Sequence, residues 1–163
     1  MATLHAGSKS VNIIKSINDF VRSRLETTRS YVLDWGQPGF KEEGKEKWIQ
    51  FRFLSSTGRF MRLVDNSARV GEIRDGFLVF NLFEKHPPRT NLYQLETVHD
   101  NIMSDIYLQD ILIYDHDTAG NPRVGNVRVL EVTNDGLIDG GEVSGLKQHN
   151  LTFRVHNLFA VAL

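Results

Sequence analysis

The chain has 163 residues, of which 40% are hydrophobic and 24% charged, with 19 lysines and arginines against 20 aspartates and glutamates. This balance fits one ordinary folded core and excludes a bulk positive field that would draw nucleic acid or anionic lipid. Cysteine is absent, which excludes disulfides, thiolate metal sites and cysteine nucleophiles.

Residues 1–9 are polar and predict a flexible N-terminal arm. They lack the apolar stretch of a signal peptide, and no later run approaches the length of a membrane span, so folding in the cytoplasm is the expectation. From Ser10 to Thr28, Ile13, Ile14, Ile17, Phe20, Val21 and Leu25 recur at three- and four-residue spacing. That period predicts an amphipathic helix, with Ser10 as its N-cap.

A short strand is predicted at 30–35, followed by a charged excursion loop over 36–47 that contains KEEGKEK. The segment 48–54, WIQFRFL, alternates, with Ile49, Phe51 and Phe53 on one face and Trp48, Gln50 and Arg52 on the other. Residues 59–64 and 69–74 are weaker strand candidates. GFLVFNLFE at 76–84 is apolar on both faces, as a central strand of a sheet should be.

Pro87 and Pro88 end that strand. Asn91 and Gln94 have capping-box spacing and open a predicted helix over about 91–109, with Leu92, Leu95, Val98, Ile102 and Ile106 as its buried stripe. ILIY at 111–114 and VGNVRVLEV at 124–132 bracket a run of turn formers and predict a hairpin. Residues 134–145 carry four glycines and read as a second excursion loop. Leu151, Phe153 and Val155 then alternate with Thr152, Arg154 and His156 in a long final strand.

The expected fold class is α+β: a single domain over 1–163, with one mainly antiparallel, twisted sheet, two helices packed on it, and long excursion loops or hairpins.

The run YDHDTAG at 114–120 places Asp115, His116 and Asp117 side by side. On extended backbone Asp115 and Asp117 share a face and offer oxygen ligands to Mg²⁺, the basis of a metal-dependent hydrolase reading. The favoured reading is a hairpin apex, because aspartate bonds readily to nearby backbone in turns. Asn134, Asp135, Asp139 and Glu142 suggest a calcium loop but miss its twelve-residue pattern. His5, His86, His99, His149 and His156 show no zinc spacing, and His99 beside Asp100 reads as a solvated pair. Arg52, Arg59, Arg62, Arg69 and Arg74, with Trp48 and Phe60, outline a basic, aromatic face whose acidic neighbours favour protein contact over nucleic acid. No nucleotide cradle or nucleophile elbow is present. No catalytic, cofactor or metal residue is assigned, and no enzyme activity is expected.

The order of an amphipathic helix, IQFRFL, a turn-rich middle, RDGFLVFNLFEK and TNLYQLETVHDNIMSDI resembles the tail terminator proteins of tailed bacteriophages. The resemblance implies a structural virion protein, present in the host cytoplasm during assembly. It would form a hexameric ring that caps the head-proximal end of the tail tube and joins the tail to the head. The implied partners are further copies of itself, the major tail tube protein, a neck or head-completion protein and, in a contractile tail, the sheath protein. DNA would only pass through the lumen. A head-completion or neck adaptor is the alternative within the same assembly.

Overall fold

A computed structural model describes residues 6–55, 59–61, 69–85, 94–139 and 145–162. Helix α1 spans Ser10–Val21 and helix α2 spans Gln94–Ile106. The strands are β1 (Leu33–Asp34), β2 (Lys47–Ser55), β3 (Arg59–Met61), β4 (Arg69–Lys85), β5 (Asp110–Tyr114), β6 (Arg123–Asp139) and β7 (Leu146–Ala162). They form a seven-stranded sheet of order β1-β2-β4-β7-β6-β5, with β3 paired to β4 further along the edge that β2 occupies. Among the described residues only β1 and β2 pair in parallel. The expected α+β class holds.

Register explains the core. Ile49 lies opposite Leu82, Phe51 opposite Phe80 and Phe53 opposite Leu78, while Phe80 lies opposite Leu151 and Leu78 opposite Phe153. Opposed residues share a face, so these side chains form one apolar surface. The helices cover it with Ile13, Ile17, Val21 and Leu25 from the first helical segment and Leu95, Val98, Ile102 and Ile106 from α2. Phe80 and Phe153 meet edge to face at 5.9 Å, a favoured aromatic geometry. Deleting either ring would cost about 3–5 kcal/mol by the usual cavity penalty.

Several expectations are corrected. Lys9, not Ser10, occupies the N-cap position of α1, and Ser10 is the first helical residue. The helix predicted to Thr28 continues that far, but as π-helix over Arg22–Thr28, where the Thr28 hydroxyl donates to the Ser23 carbonyl. Ser30 ends it at φ 58°. The arm expected at 1–9 is anchored in its described part: Ala6–Ser8 form a 3₁₀ turn, and Asn12 Nδ2 donates to the Ala6 carbonyl at 2.9 Å.

The loop expected over 134–145 is strand up to Asp139, paired residue by residue with Lys147–Thr152. The charged loop at 36–47 is irregular until Lys47, which opens β2. Segments 69–74 and 76–84 are one strand rather than two. Gly76 lies inside it because a Cβ there would meet the Leu54 carbonyl oxygen and the Phe53 ring, both at 2.9 Å. The capping-box Asn91 and Leu92 lie outside the described residues, as does Arg62.

Candidate functional site

The YDHDTAG run is the apex of the β5–β6 hairpin. Asp115 N donates to the Pro122 carbonyl at 2.9 Å and Asn121 N to the Thr118 carbonyl at 3.0 Å. Gly120 and Asn121 take φ of 84° and 44°, the left-handed region that glycine and asparagine tolerate best. Backbone is therefore not extended here, and Asp115 and Asp117 do not present a shared face.

Asp115 is buried and bonded within its own turn. Thr118 Oγ1 donates to its Oδ2 at 2.7 Å, and the Asp117 amide to its Oδ1 at 3.1 Å. The Thr118 bond, then the Asp117 amide, with smaller help from Asn12 and the Lys9 charge, hold its carboxyl below the usual aspartate range against the opposing effect of burial. Asp117 points outward and pairs with Lys9 at 3.1 Å.

Helix α1 grips this apex from below. Fully buried Asn12 donates Nδ2 to Asp115 Oδ1 at 3.3 Å and accepts from the His116 amide at 3.2 Å. Ser16 Oγ accepts from the Tyr114 amide at 3.0 Å and lies 3.2 Å from His116 Nε2. The triplet that suggested a metal pair is thus a clasp between a hairpin and a helix. Beside it runs an open groove of about 640 Å³, walled by Asp19, Phe20 and Arg24 of the helix and Tyr114 and His116 of the hairpin.

Of the expected Arg-aromatic face, the side chains of Arg59, Phe60, Arg62 and Arg69 lie outside the described ones, and Trp48 and Arg52 are placed differently from the expectation. Trp48 is buried and stacks on Phe83 at 5.1 Å with an interplanar angle of 17°. Arg52 turns inward: its guanidinium bonds to the Asp34 carbonyl at 2.9 Å and lies 3.4 Å from Asp34 Oδ2. Burial works to raise the Asp34 carboxyl, and the Gly36 amide, Gln50 and Arg52 together outweigh it and hold it low. On the same sheet face Asp75 accepts from His156 Nδ1 at 2.8 Å and from Arg154 at 3.0 Å, and Arg154 also reaches Glu131 at 3.1 Å. The His156 bond and then Arg154 keep the Asp75 carboxyl below its ordinary range despite burial.

A second polar cluster was not expected. His99 on α2, Asp135 on β6 and His149 on β7 bring one ligand-type atom each to within 4.8 Å of one another. His149 Nε2 lies 2.5 Å from Asp135 Oδ1, and His99 Nε2 lies 3.2 Å from the same oxygen. The two rings face each other at 4.6 Å. His99 does pair with Asp100, at 3.0 Å through Nδ1, but its side chain is only 17% exposed, so the expected solvated pair is half of a larger arrangement.

Burial tends to raise the Asp135 carboxyl; the His149 hydrogen bond and the His99 charge prevail and hold it low. Next to this cluster Lys147 Nζ donates to Glu96 Oε1 at 2.7 Å. Among the described residues these are the atoms placed to hold a metal ion; Asp139 of the calcium-loop reading belongs to β6, and Glu142 lies outside the described residues.

No family description matches the chain, and no curated protein matches it. A solved structure, known only by a name that states no function, shares the fold with a TM-score of 0.58 over 90% of this chain and 95% of the other. The two sequences are 11% identical, so the likeness concerns architecture alone.

Proposed function

We propose that this chain is a structural subunit of a tailed-phage virion, a tail-terminator-like protein that closes into a hexameric ring on the head-proximal end of the tail tube and joins it to the neck. The reading rests first on the order of sequence elements that resembles that family. The structural observation that supports it is the reach of β4 and β7.

Each of these strands has 17 residues, about 56 Å at roughly 3.3 Å per residue. Among the side chains described, these strands contribute Leu78, Phe80 and Leu82 and Leu151, Phe153 and Val155 to the helix-covered core. β6 accompanies β7 no further than Asn157, so from residue 158 to 162 β7 pairs with β4 alone among the described residues. A ribbon whose edge meets no further strand among the described residues is suited to accept a strand from a neighbour. Repeated head to tail, such a contact closes a ring if the rotation between subunits allows.

Its partners in this reading are further copies of itself, the major tail tube protein, a neck protein and, in a contractile tail, the sheath protein. A neck adaptor would instead bind portal-side proteins. Mass photometry and negative-stain imaging of the purified chain, alone and mixed with tail tubes, test the proposal. Rings of six, or caps on one tube end, are expected. A chain that stays monomeric and ignores tube ends overturns it. The hydrolase reading on Asp115 and Asp117 gains no support, since the first carboxylate is consumed by its own turn and the second by Lys9.

A further inference from the structure

We propose that His99, Asp135 and His149 form a binding site for a divalent transition-metal ion of the zinc class, ligated by two imidazole Nε2 atoms and one carboxylate oxygen. Bonds of about 2.0–2.1 Å in a tetrahedral shell put neighbouring ligand atoms roughly 3.3–3.4 Å apart. The His99 Nε2 to Asp135 separations, 3.2 and 3.3 Å to the two oxygens, already have that size. The His149 to Asp135 distance of 2.5 Å must open by less than an ångström, at a carboxylate that is 44% exposed, and the set of ligand atoms, spread within 4.8 Å of one another, must draw together around the ion.

The surroundings have the features such a site needs. His99 Nδ1 lies 3.0 Å from Asp100 Oδ1; a carboxylate there fixes the proton on Nδ1 and turns the Nε2 lone pair toward the ion, the usual outer-shell support of a ligating histidine. Both rings are held down, at 17% and 13% side-chain exposure, while Asp135 opens to solvent. An ion can therefore enter past Asp135 and keep water in the remaining position. His149 Nδ1 is buried with no hydrogen-bond partner among the described residues. Its ring is anchored through Nε2 to Asp135, so Nε2 is the nitrogen that already faces the proposed ion. Glu96 Oε2, also buried and without a partner, supplies an acceptor in the same polar cluster.

Donor chemistry sets the class of ion. Two imidazoles with one carboxylate suit Zn²⁺, Co²⁺, Ni²⁺ or Cu²⁺, whereas Mg²⁺ and Ca²⁺ require oxygen shells. The three ligands come from α2, β6 and β7, so the ion would lock the helix to the two strands. This inference is independent of the ring proposal; a chain that binds zinc and forms no ring satisfies one and not the other.

Calorimetric titration of the full chain with Zn²⁺ tests it. One equivalent should bind, and the melting temperature should rise with Zn²⁺ and fall back with chelator. Asp135→Asn and His149→Asn should each weaken binding by more than about tenfold, and Asp100→Asn by about 10–100-fold, the range typical of outer-shell changes. His156→Asn, which alters a histidine outside the cluster, should leave the affinity unchanged. Should His149→Asn fail to fold, Asp135→Asn at an exposed position carries the test, and Co²⁺ loading supplies a second readout through visible bands of a four- or five-coordinate site. Absence of binding, or binding equally strong in the His99→Asn, Asp135→Asn double variant, overturns the site.

Discussion

Asp115 and Asp135 both accept hydrogen bonds from neighbouring side chains and both have their carboxyls held below the usual range. They nevertheless belong to different kinds of place. Asp115 is buried, with donors that are neutral and close in sequence, a hydroxyl three residues on and an amide two residues on, plus one asparagine from α1. Asp135 is nearly half exposed and faces two imidazoles, which can exchange a proton for a metal. Neutral donors that cannot leave make a joint; titratable donors around an open carboxylate make a site.

Asn12→Ala should break the joint most severely. It leaves the His116 amide, one Asp115 oxygen and the Ala6 carbonyl short of a partner at a buried position, a loss of about 2–3 kcal/mol at the usual cost of buried unmade bonds. Chemical denaturation should show it, with hydrogen exchange quickened first at the apex amides. Unchanged stability would mean that the hairpin holds its shape without the helix.

Asp115→Asn should have a smaller, pH-dependent effect. The folded-state pKa of Asp115 is depressed, so its contribution is full above the unfolded-state value near 3.9 and disappears as pH falls through the folded value. The variant should be less stable than the parent at pH 7, and the gap should close below about pH 4. A gap independent of pH would show that the charge itself contributes nothing there.

In metal-free buffer Asp135→Asn should change stability by no more than about 1 kcal/mol, because the side chain is 44% exposed and the asparagine amide keeps an oxygen acceptor. Losing the zinc response while keeping the fold would sharpen the contrast with Asp115; a large loss of stability without metal would make Asp135 a second joint. Asp117→Ala should do least, within about 0.5 kcal/mol, because its pair with Lys9 is exposed on both sides. Matched melts of variant and parent are enough to check it.

Much of the fold was legible because periodicity records burial. The stripes of α1 and α2 and the Leu78, Phe80 and Leu82 face of 76–84 follow directly from which side chains meet the core, whereas Phe77, Val79 and Phe83 lie half-buried on the other face. Residues 134–139 were misread because they lie at a polar rim, where pairing is carried by backbone and glycine tolerates it. Gly76 was taken as a boundary, although its role is to let Phe53 and Leu54 pack closely. The apex was read as a turn, but its attachment to Asn12 and Ser16 joins residues about a hundred apart. His99 and His149 each meet Asp135 across 36 and 14 residues, on three elements whose neighbourhood only the sheet order creates. No local spacing could have announced them.

The position of β7 has a consequence for the order in which the molecule can be built. It follows every other strand along the chain, yet it sits in the middle of the sheet, between β4 and β6. Before it arrives, β1, β2 and β4 on one side and β5 and β6 on the other are two half-sheets with no shared hydrogen-bonded edge among the described residues. Its pairings with β4 join residues from 146 back to 85 and from 162 back to 69. Such distant contacts make for slow folding. During synthesis the apolar flank of β4 therefore waits, unpaired, for a strand made much later, and a chaperone or a second nascent chain has that interval in which to take its place.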